Sequence, residues 1–360
     1  MKSKVCIASL RFSPACLSLL PAWGKMFEAL GFEVDYVIHP RFKEFPEFAG
    51  NDSAILATEA GWSRRTGYTH AVFAHPAEKN HVYGRELKRT GCKVWYIYHE
   101  PWESLRSYLQ TESFSVVLKL IAAHYLSVKM LKTSDGVILP SQKCVTTYEH
   151  ADVRHNRRYF KVPLLFHDEA GKLLNEDRIH FSYIGSITKA HGFDGFIEFV
   201  KYALNRNLDI RFLIASRMPL PEEIAKDAMI ANASDRVVIR CGRPLTNDEI
   251  NRCYSQSICV WNVYLRSTQS GVLAKATMLG TPIIASEAGS FREFIADHKE
   301  GRLLGSASPE AVLGAFEEIR GNLKRFSDLS RKRFLSTFDY MSQLELCKQI
   351  FGAVNGDKIK

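Results

Sequence analysis

The 360-residue sequence carries eight cysteines, at positions 6, 16, 92, 144, 241, 253, 259 and 347, yet no two of them form a C-x-x-C pair. Such scatter argues against a structural zinc site and against a disulfide framework. It fits a reducing, cytoplasmic compartment in which cysteine serves as a small core residue. No uninterrupted run of about 18 apolar residues occurs, which argues against a membrane span. The start, Met1-Lys-Ser-Lys-Val-Cys-Ile-Ala-Ser-Leu10, is broken by Arg11 too soon for a signal peptide and reads as a buried strand. Blocks of five or six like charges are missing, and no basic stretch is interleaved with aromatics, so nucleic acid is the least favoured partner. The formal charge of +9 still calls for something anionic, a phosphorylated ligand or a membrane surface. With 46% hydrophobic and 24% charged residues the composition is that of a soluble globular protein, and the length suits two domains.

What is present is an alternation of strands and helices. A strand over Lys4–Leu10 leads through the loop Arg11-Phe-Ser-Pro-Ala15, with Ser13 as N-cap and Pro14 as first helical residue, into a helix ending at Gly31. The next strand is 32–39. Residues 40–69 show no clear period. A short strand at His70–Ala74, a helix over 78–90 closed by Gly91 and the apolar run Lys93–Tyr98 follow, and that run ends in His99-Glu-Pro-Trp102. Ligands of parallel sheets bind beyond the carboxyl ends of strands, which makes His99 and Glu100 candidates for chemistry. The helix 113–133 sets Lys119, His124, Lys129 and Lys132 among apolar positions. It fits either a core-facing helix with a solvated basic edge or a helix lying on an anionic membrane. A strand 136–139, a helix capped by Ser141 and a strand 160–165 complete the first half, with Arg154, His155, Arg157 and Arg158 in a basic turn. The polar, aperiodic stretch Phe166–Arg178 reads as an interdomain linker. Beyond it come strand 181–187, helix 193–205, strand 209–215, helix 221–232, strand 236–241 and helix 247–254. The helix Pro309–Ile319 and two more, 323–336 and 339–353, end the series.

The stretch Ile258–Phe294 is the most informative. A buried strand ending at Tyr264 enters a polar loop, Leu265-Arg-Ser-Thr-Gln-Ser270, and a helix starts near Ser270. The N–H groups of Gly271 and Val272 then face the positive end of a helix dipole, a seat for phosphate. Gly280 ends the helix, Pro282 blocks its continuation, and Ile283-Ile-Ala-Ser286 is the next strand.

On these residues the chain resembles the two-Rossmann (GT-B) glycosyltransferases. Ala276 followed by Gly280-Thr-Pro-Ile-Ile-Ala-Ser286, with Gly289 before Glu293, is similar to the donor-binding half of the large retaining family that uses nucleotide-diphospho-sugars in bacterial polysaccharide and lipopolysaccharide synthesis. Phe181-Ser-Tyr-Ile-Gly-Ser-Ile187 with Lys189 and Gly192 resembles its phosphate-binding loop. The resemblance covers most of residues 93–335. It implies an α/β fold of two doubly wound parallel-sheet domains facing a cleft: 1–168 on the acceptor side, joined by a crossing-back helix in 338–360, and 176–337 on the donor side. It implies a metal-independent hexosyltransferase with no cofactor beyond a UDP- or GDP-sugar donor, acting on a glycan or lipid-linked acceptor from the inner face of the membrane. His99, with Glu100 beside it, would face the donor sugar. Ser186, Lys189, Arg217, Arg243, Tyr264, Ser267, Gln269, Ser270, Gly271, Val272, Lys275 and Glu293 would line the donor site, and Arg11 and Ser13 the acceptor loop. The sequence departs from the family where its two glutamates, eight positions apart, fall on Ser267 and Lys275, and where its diphosphate-binding Arg and Lys fall on Ser186 and His191. Lys275 is then expected to supply charge to the diphosphate. A nucleotide-sugar epimerase on the same scaffold and a non-catalytic homologue that only binds glycan or a partner enzyme are the competing readings.

Overall fold

The computed structural model describes residues 3–64, 67–151, 158–243 and 245–352. Arg154, His155 and Arg157 of the expected basic turn, and the chain after Gly352, lie outside the described residues. The chain divides into two compact units, Met1–His167 with Thr337–Lys360, and Asp168–Ser336.

The first unit is built on a seven-stranded sheet of order β3-β2-β1-β4-β5-β6-β7, every pairing parallel. Its strands are β1 Lys4–Ser9, β2 Glu33–Ile38, β3 Ala54–Leu56, β4 Tyr68–Phe73, β5 Lys93–Ile97, β6 Gly136–Leu139 and β7 Arg158–Lys161. Val5, Cys6, Ile7 and Ala8 of β1 are all buried, as expected of a strand covered on both faces. The helices are α1 Cys16–Ala29, α2 Asn80–Arg89, α3 Leu105–Thr111, α4 Phe114–Thr133 and α5 Gln142–His150. Ser141 caps α5 through Oγ, which accepts from the Cys144 N–H at 3.0 Å. At α1 the sequence expectation is corrected: Ser13 and Pro14 form a turn before the helix, with the Ser13 carbonyl accepting from the Cys16 N–H (3.0 Å), and Ala15 is the N-cap. The short edge strand β3 and the helix α3 were not legible in the sequence.

The helix α4 is covered on one side only. Despite its three lysines it is long and apolar enough, by length and composition, to cross a membrane, and only 22% of its most apolar stretch is buried. One side of the helix still faces the core, through the buried Val117, Ser127, Met130 and Leu131.

The second unit carries a six-stranded parallel sheet of order β10-β9-β8-β11-β12-β13. Its strands are β8 His180–Ile184, β9 Arg211–Ala215, β10 Val237–Arg240, β11 Ser257–Asn262, β12 Ile283–Ser286 and β13 Gly301–Leu304. Its helices are α6 Phe193–Asn205, α7 Glu222–Ala225, α8 Ala228–Asn232, α9 Asn247–Ser255, α10 Gly271–Met278, α11 Phe291–Phe294, α12 Pro309–Gly321 and α13 Leu323–Thr337. The single helix expected over 221–232 is two, because the Asp227 carboxylate accepts from the N–H groups of Met229 and Ile230 (3.0 and 3.3 Å) and starts α8 afresh. Six rings, those of Phe181, Phe196, Phe199, Phe212, Trp261 and Phe316, make the core beneath the sheet. Arg178 ties three elements together: its guanidinium donates to the carbonyls of Ser257 (3.1 Å) and Leu279 (2.5 Å) and to Thr281 Oγ1 (2.8 Å).

The helix α14, Leu344–Phe351, preceded by a 3₁₀ turn at Tyr340–Gln343, belongs to the first unit. Phe351 packs its ring on Trp23, Phe27, His70 and Trp95.

Candidate functional site

In each sheet the strand order reverses once, between β1 and β4 and between β8 and β11, and the loops leaving those strands diverge to opposite sides. Crevices outside the carboxyl ends of such strands are where open α/β sheets bind ligands.

In the second unit the crevice is framed by the loops after β8 and β11, and these are locked together. Gly192, at φ +65°, lies so close to the Val263 carbonyl that a Cβ would stand 2.1 Å from its oxygen. The Leu265 N–H donates to the Ala190 carbonyl at 2.8 Å. The Ser186 carbonyl accepts from Tyr183 OH (2.5 Å) and from His191 Nδ1 (3.2 Å), so the proton of His191 sits on Nδ1 and Nε2 is its acceptor nitrogen. Burial first, then the neighbouring Arg266 guanidinium, holds the His191 imidazole below its ordinary pKa. Its ring stacks on Tyr264, centroids 4.4 Å apart, and Tyr264 leans on Phe291 at 5.4 Å.

The loop then delivers the helix start foreseen in the sequence. Ser270 Oγ caps α10 by accepting from Leu273 N–H at 3.1 Å and receives Asn262 Nδ2 at 3.3 Å. Gly271 and Val272 are half-buried, and their N–H groups make no hydrogen bond among the described residues. Gln269 Oε1 is buried without a hydrogen-bond partner beside them. The buried Ser267 donates to the Gln269 carbonyl at 3.2 Å, which fixes the loop. Beyond β12, Ser286 Oγ donates to the Tyr264 carbonyl at 2.6 Å, and Glu293 lies half-buried in α11.

The cations are arranged differently from the expectation. Lys275 is buried one turn beyond Gly271, its Nζ donating to Asn247 Oδ1 (3.1 Å) and Asn251 Oδ1 (3.3 Å) with Glu169 at 3.9 Å. It packs α10 on α9, and a buried ammonium held this way serves the fold. Arg243 grips Glu249 with both guanidinium nitrogens (3.1 and 2.5 Å), and Glu249 is the far end of a capping box with Thr246. Arg217 spends Nε and Nη2 on the Leu245 carbonyl (3.2 and 3.0 Å). Ser186 and Lys189 are exposed on the β8 loop. Arg266, which sequence reasoning passed over, is the guanidinium that acts on His191; its place immediately before Ser267 in the polar loop was the available signal.

In the first unit, Arg11 and Ser13 follow β1, His75 follows β4, and His99 and Glu100 follow β5. His99 Nε2 donates to the Ala74 carbonyl at 3.0 Å. Burial, with His75 beside it, lowers His99 to about 4, and burial with Arg11 nearby lowers His75 to about 4 as well. Both rings are thus neutral at pH 7, and His99 acts there as a hydrogen-bonding group. Glu100 is exposed. His75, whose buried Nδ1 has no hydrogen-bond partner, is a member of this edge that sequence reasoning missed; a lone histidine between Ala74 and Pro76 gave little signal.

The sign of the pH effect follows. His99 binds its proton near 6.5 when unfolded and near 4 when folded, so its contribution to stability is complete above pH 6.5 and is lost as pH falls toward 4. Urea denaturation at pH 5 against pH 7 is expected to show the first unit weakened by about 2 kcal/mol from His99, with His75 acting in the same direction. His99→Gln should flatten that dependence.

Two parallel sheets, each with a switch-point crevice, and a helix N-terminus opening on the second of them define a fold of the GT-B class. The likeness to solved structures agrees. The chain aligns with sucrose-phosphate synthase from Thermosynechococcus elongatus at TM-score 0.67 and 16% identity, over 98% of this chain and 100% of that one. With HepE of Anabaena, solved in complex with UDP-glucose, the values are 0.70, 12%, 98% and 100%. With a glycosyltransferase from Rickettsia africae they are 0.71, 12%, 99% and 100%. Residues 178–322, most of the second unit, match the family model described as glycosyl transferases group 1. No curated protein matches the chain by sequence.

Proposed function

We propose that the protein transfers a sugar from a nucleotide-diphospho-sugar to a lipid-linked or polysaccharide-precursor acceptor, with retention of configuration and without a metal ion. The observation that carries this reading is the start of α10, where no described hydrogen bond uses the N–H groups of Gly271 and Val272, beside Gln269. Charge developing on a departing diphosphate would be met there by the helix N-terminus, with Arg266 and Lys189 supplying the cations that Lys275 does not. HepE, with the same fold, has been solved with UDP-glucose, which supports a donor of this chemistry. The departing phosphate can itself take the proton of the acceptor, so retention needs no dedicated base; Glu100 would be the base only in an inverting reaction.

Calorimetry with UDP and GDP tests the reading. One of the two is expected to bind, and Arg266→Ala to weaken it by about 10- to 100-fold, the worth of one charge-assisted contact. Failure of the wild type to bind either nucleotide would sink the proposal. Binding of donor without transfer to any acceptor would favour a binding-only homologue.

A further inference from the structure

The helix α4 presents a face that the fold does not use. Phe114, Leu118, Ile121 and Tyr125 recur every three or four residues and so form one stripe, and they are 70%, 51%, 41% and 58% exposed. On the preceding helix Leu105 and Leu109, one turn apart, are 48% and 51% exposed. Trp102 joins the two helices, its ring 4.7 Å from both Tyr108 and His124. Six large apolar side chains held outward on a packed helical hairpin exceed the scattered exposure normal for a surface.

Charge identifies the occupant. The helix α4 contains no aspartate or glutamate, and the apolar stripe continues C-terminally into Lys129 and Lys132, with Lys119 on its flank. Lys129 lies over the Tyr125 ring at 4.3 Å. Glu112 precedes the helix, and Glu103 is paired with Lys143 at 3.5 Å. A second copy of the chain would bring the same lysines and no acid of its own from α4.

The opposite side of the helix is fixed. Ser127 Oγ shares a hydrogen bond with the buried Tyr96 hydroxyl at 2.9 Å, and Asp135 receives the Val94 N–H at 2.9 Å and Lys88 Nζ at 2.6 Å. The helix therefore cannot leave the unit to span a bilayer, and an interfacial position suits it. We infer that the first unit docks on an anionic lipid surface through the α3–α4 face, its apolar stripe in the headgroup boundary and its lysines against lipid phosphates. This inference stands on the first unit's surface and does not rest on the transferase reading.

Sedimentation of the full chain with vesicles tests it. Vesicles containing anionic phospholipid are expected to bind the chain, and purely zwitterionic vesicles to bind it at least about tenfold more weakly. Lys119→Gln, Lys129→Gln and Lys132→Gln together should lower the partition coefficient roughly 100-fold, since each cation near such a surface is worth about fivefold. Leu118→Ser with Ile121→Ser should lower it at least about tenfold, with an unchanged melting temperature and unchanged nucleotide affinity. No sedimentation with anionic vesicles, or equal binding to zwitterionic ones, would overturn the inference. So would light scattering that shows a dimer dissociated by Leu118→Ser with Ile121→Ser. If vesicle binding holds while nucleotide binding fails, only the transferase reading falls.

Discussion

Replacing Gly289 by valine is expected to weaken nucleotide binding by about 100-fold or more while leaving most of the second unit folded. Gly289 follows β12 with φ +66°, a conformation that a β-branched residue adopts only at a cost of about 1–2 kcal/mol or more. The tighter constraint is contact. A Cβ there would lie 1.8 Å from the Ser267 carbonyl oxygen and 2.7 Å from its carbon, and both are backbone atoms that cannot rotate away. The turn after β12 therefore has to move, or the Ser267–Ser270 loop does. That loop carries Gln269 and the Ser270 cap, which aim the first N–H groups of α10. Gly305→Ala is the control, because a Cβ at Gly305 meets nothing within 4 Å and is expected to change neither binding nor stability. Calorimetry with whichever nucleotide the wild type binds, alongside circular-dichroism melting, reads both. A Gly289→Val protein that bound nucleotide normally would show that the turn does not set the helix start.

The second large effect is on the first unit. Phe351→Ala should cost it about 3–5 kcal/mol, the range for emptying a buried aromatic site. Phe351 is fully buried, and its ring meets Trp95 at 4.9 Å, Phe27 at 4.8 Å, His70 at 5.8 Å and Trp23 at 6.2 Å. Four surrounding rings cannot collapse into the space without leaving their own rotamers, so most of the cavity should persist. Urea denaturation followed by tryptophan fluorescence suits the test, because four of the five tryptophans, Trp23, Trp62, Trp95 and Trp102, belong to the first unit and only Trp261 to the second. The first-unit transition is expected to move to lower urea and the Trp261 transition to stay. An unmoved first-unit transition would remove α14 from that unit's core.

Much of the architecture was legible because local signals agreed with the fold. The helix Phe193–Asn205 was bounded correctly by its 3.6-residue apolar period and by Gly192, whose left-handed conformation starts it. The α10 start followed from Ser270 and the polar loop before it. What the sequence hid is tertiary. The partners of Lys275, Asn247 and Asn251, lie 28 and 24 residues away, and nothing local marks a lysine as internal. Arg243 was legible in principle, since Thr246-Asn-Asp-Glu249 is a capping-box pattern that predicts where Glu249 must point. The edge strand Ala54–Leu56 is too short to show a period. For α4 the composition did not show which of its apolar residues are covered, because helices of a parallel-sheet unit are normally covered on the sheet side and the rest of this one is exposed.

The place of Phe351 also bears on how the chain is completed during synthesis. The second unit draws all of its sheet and its Arg178 ties from residues 168–336, so everything it needs exists once that segment has left the ribosome. The first unit is made earlier in time, yet its aromatic socket of Trp23, Phe27, His70 and Trp95 stays open until residue 351 emerges. The half translated first is thus the half finished last, and through that interval it holds an uncovered apolar socket on which a chaperone could act.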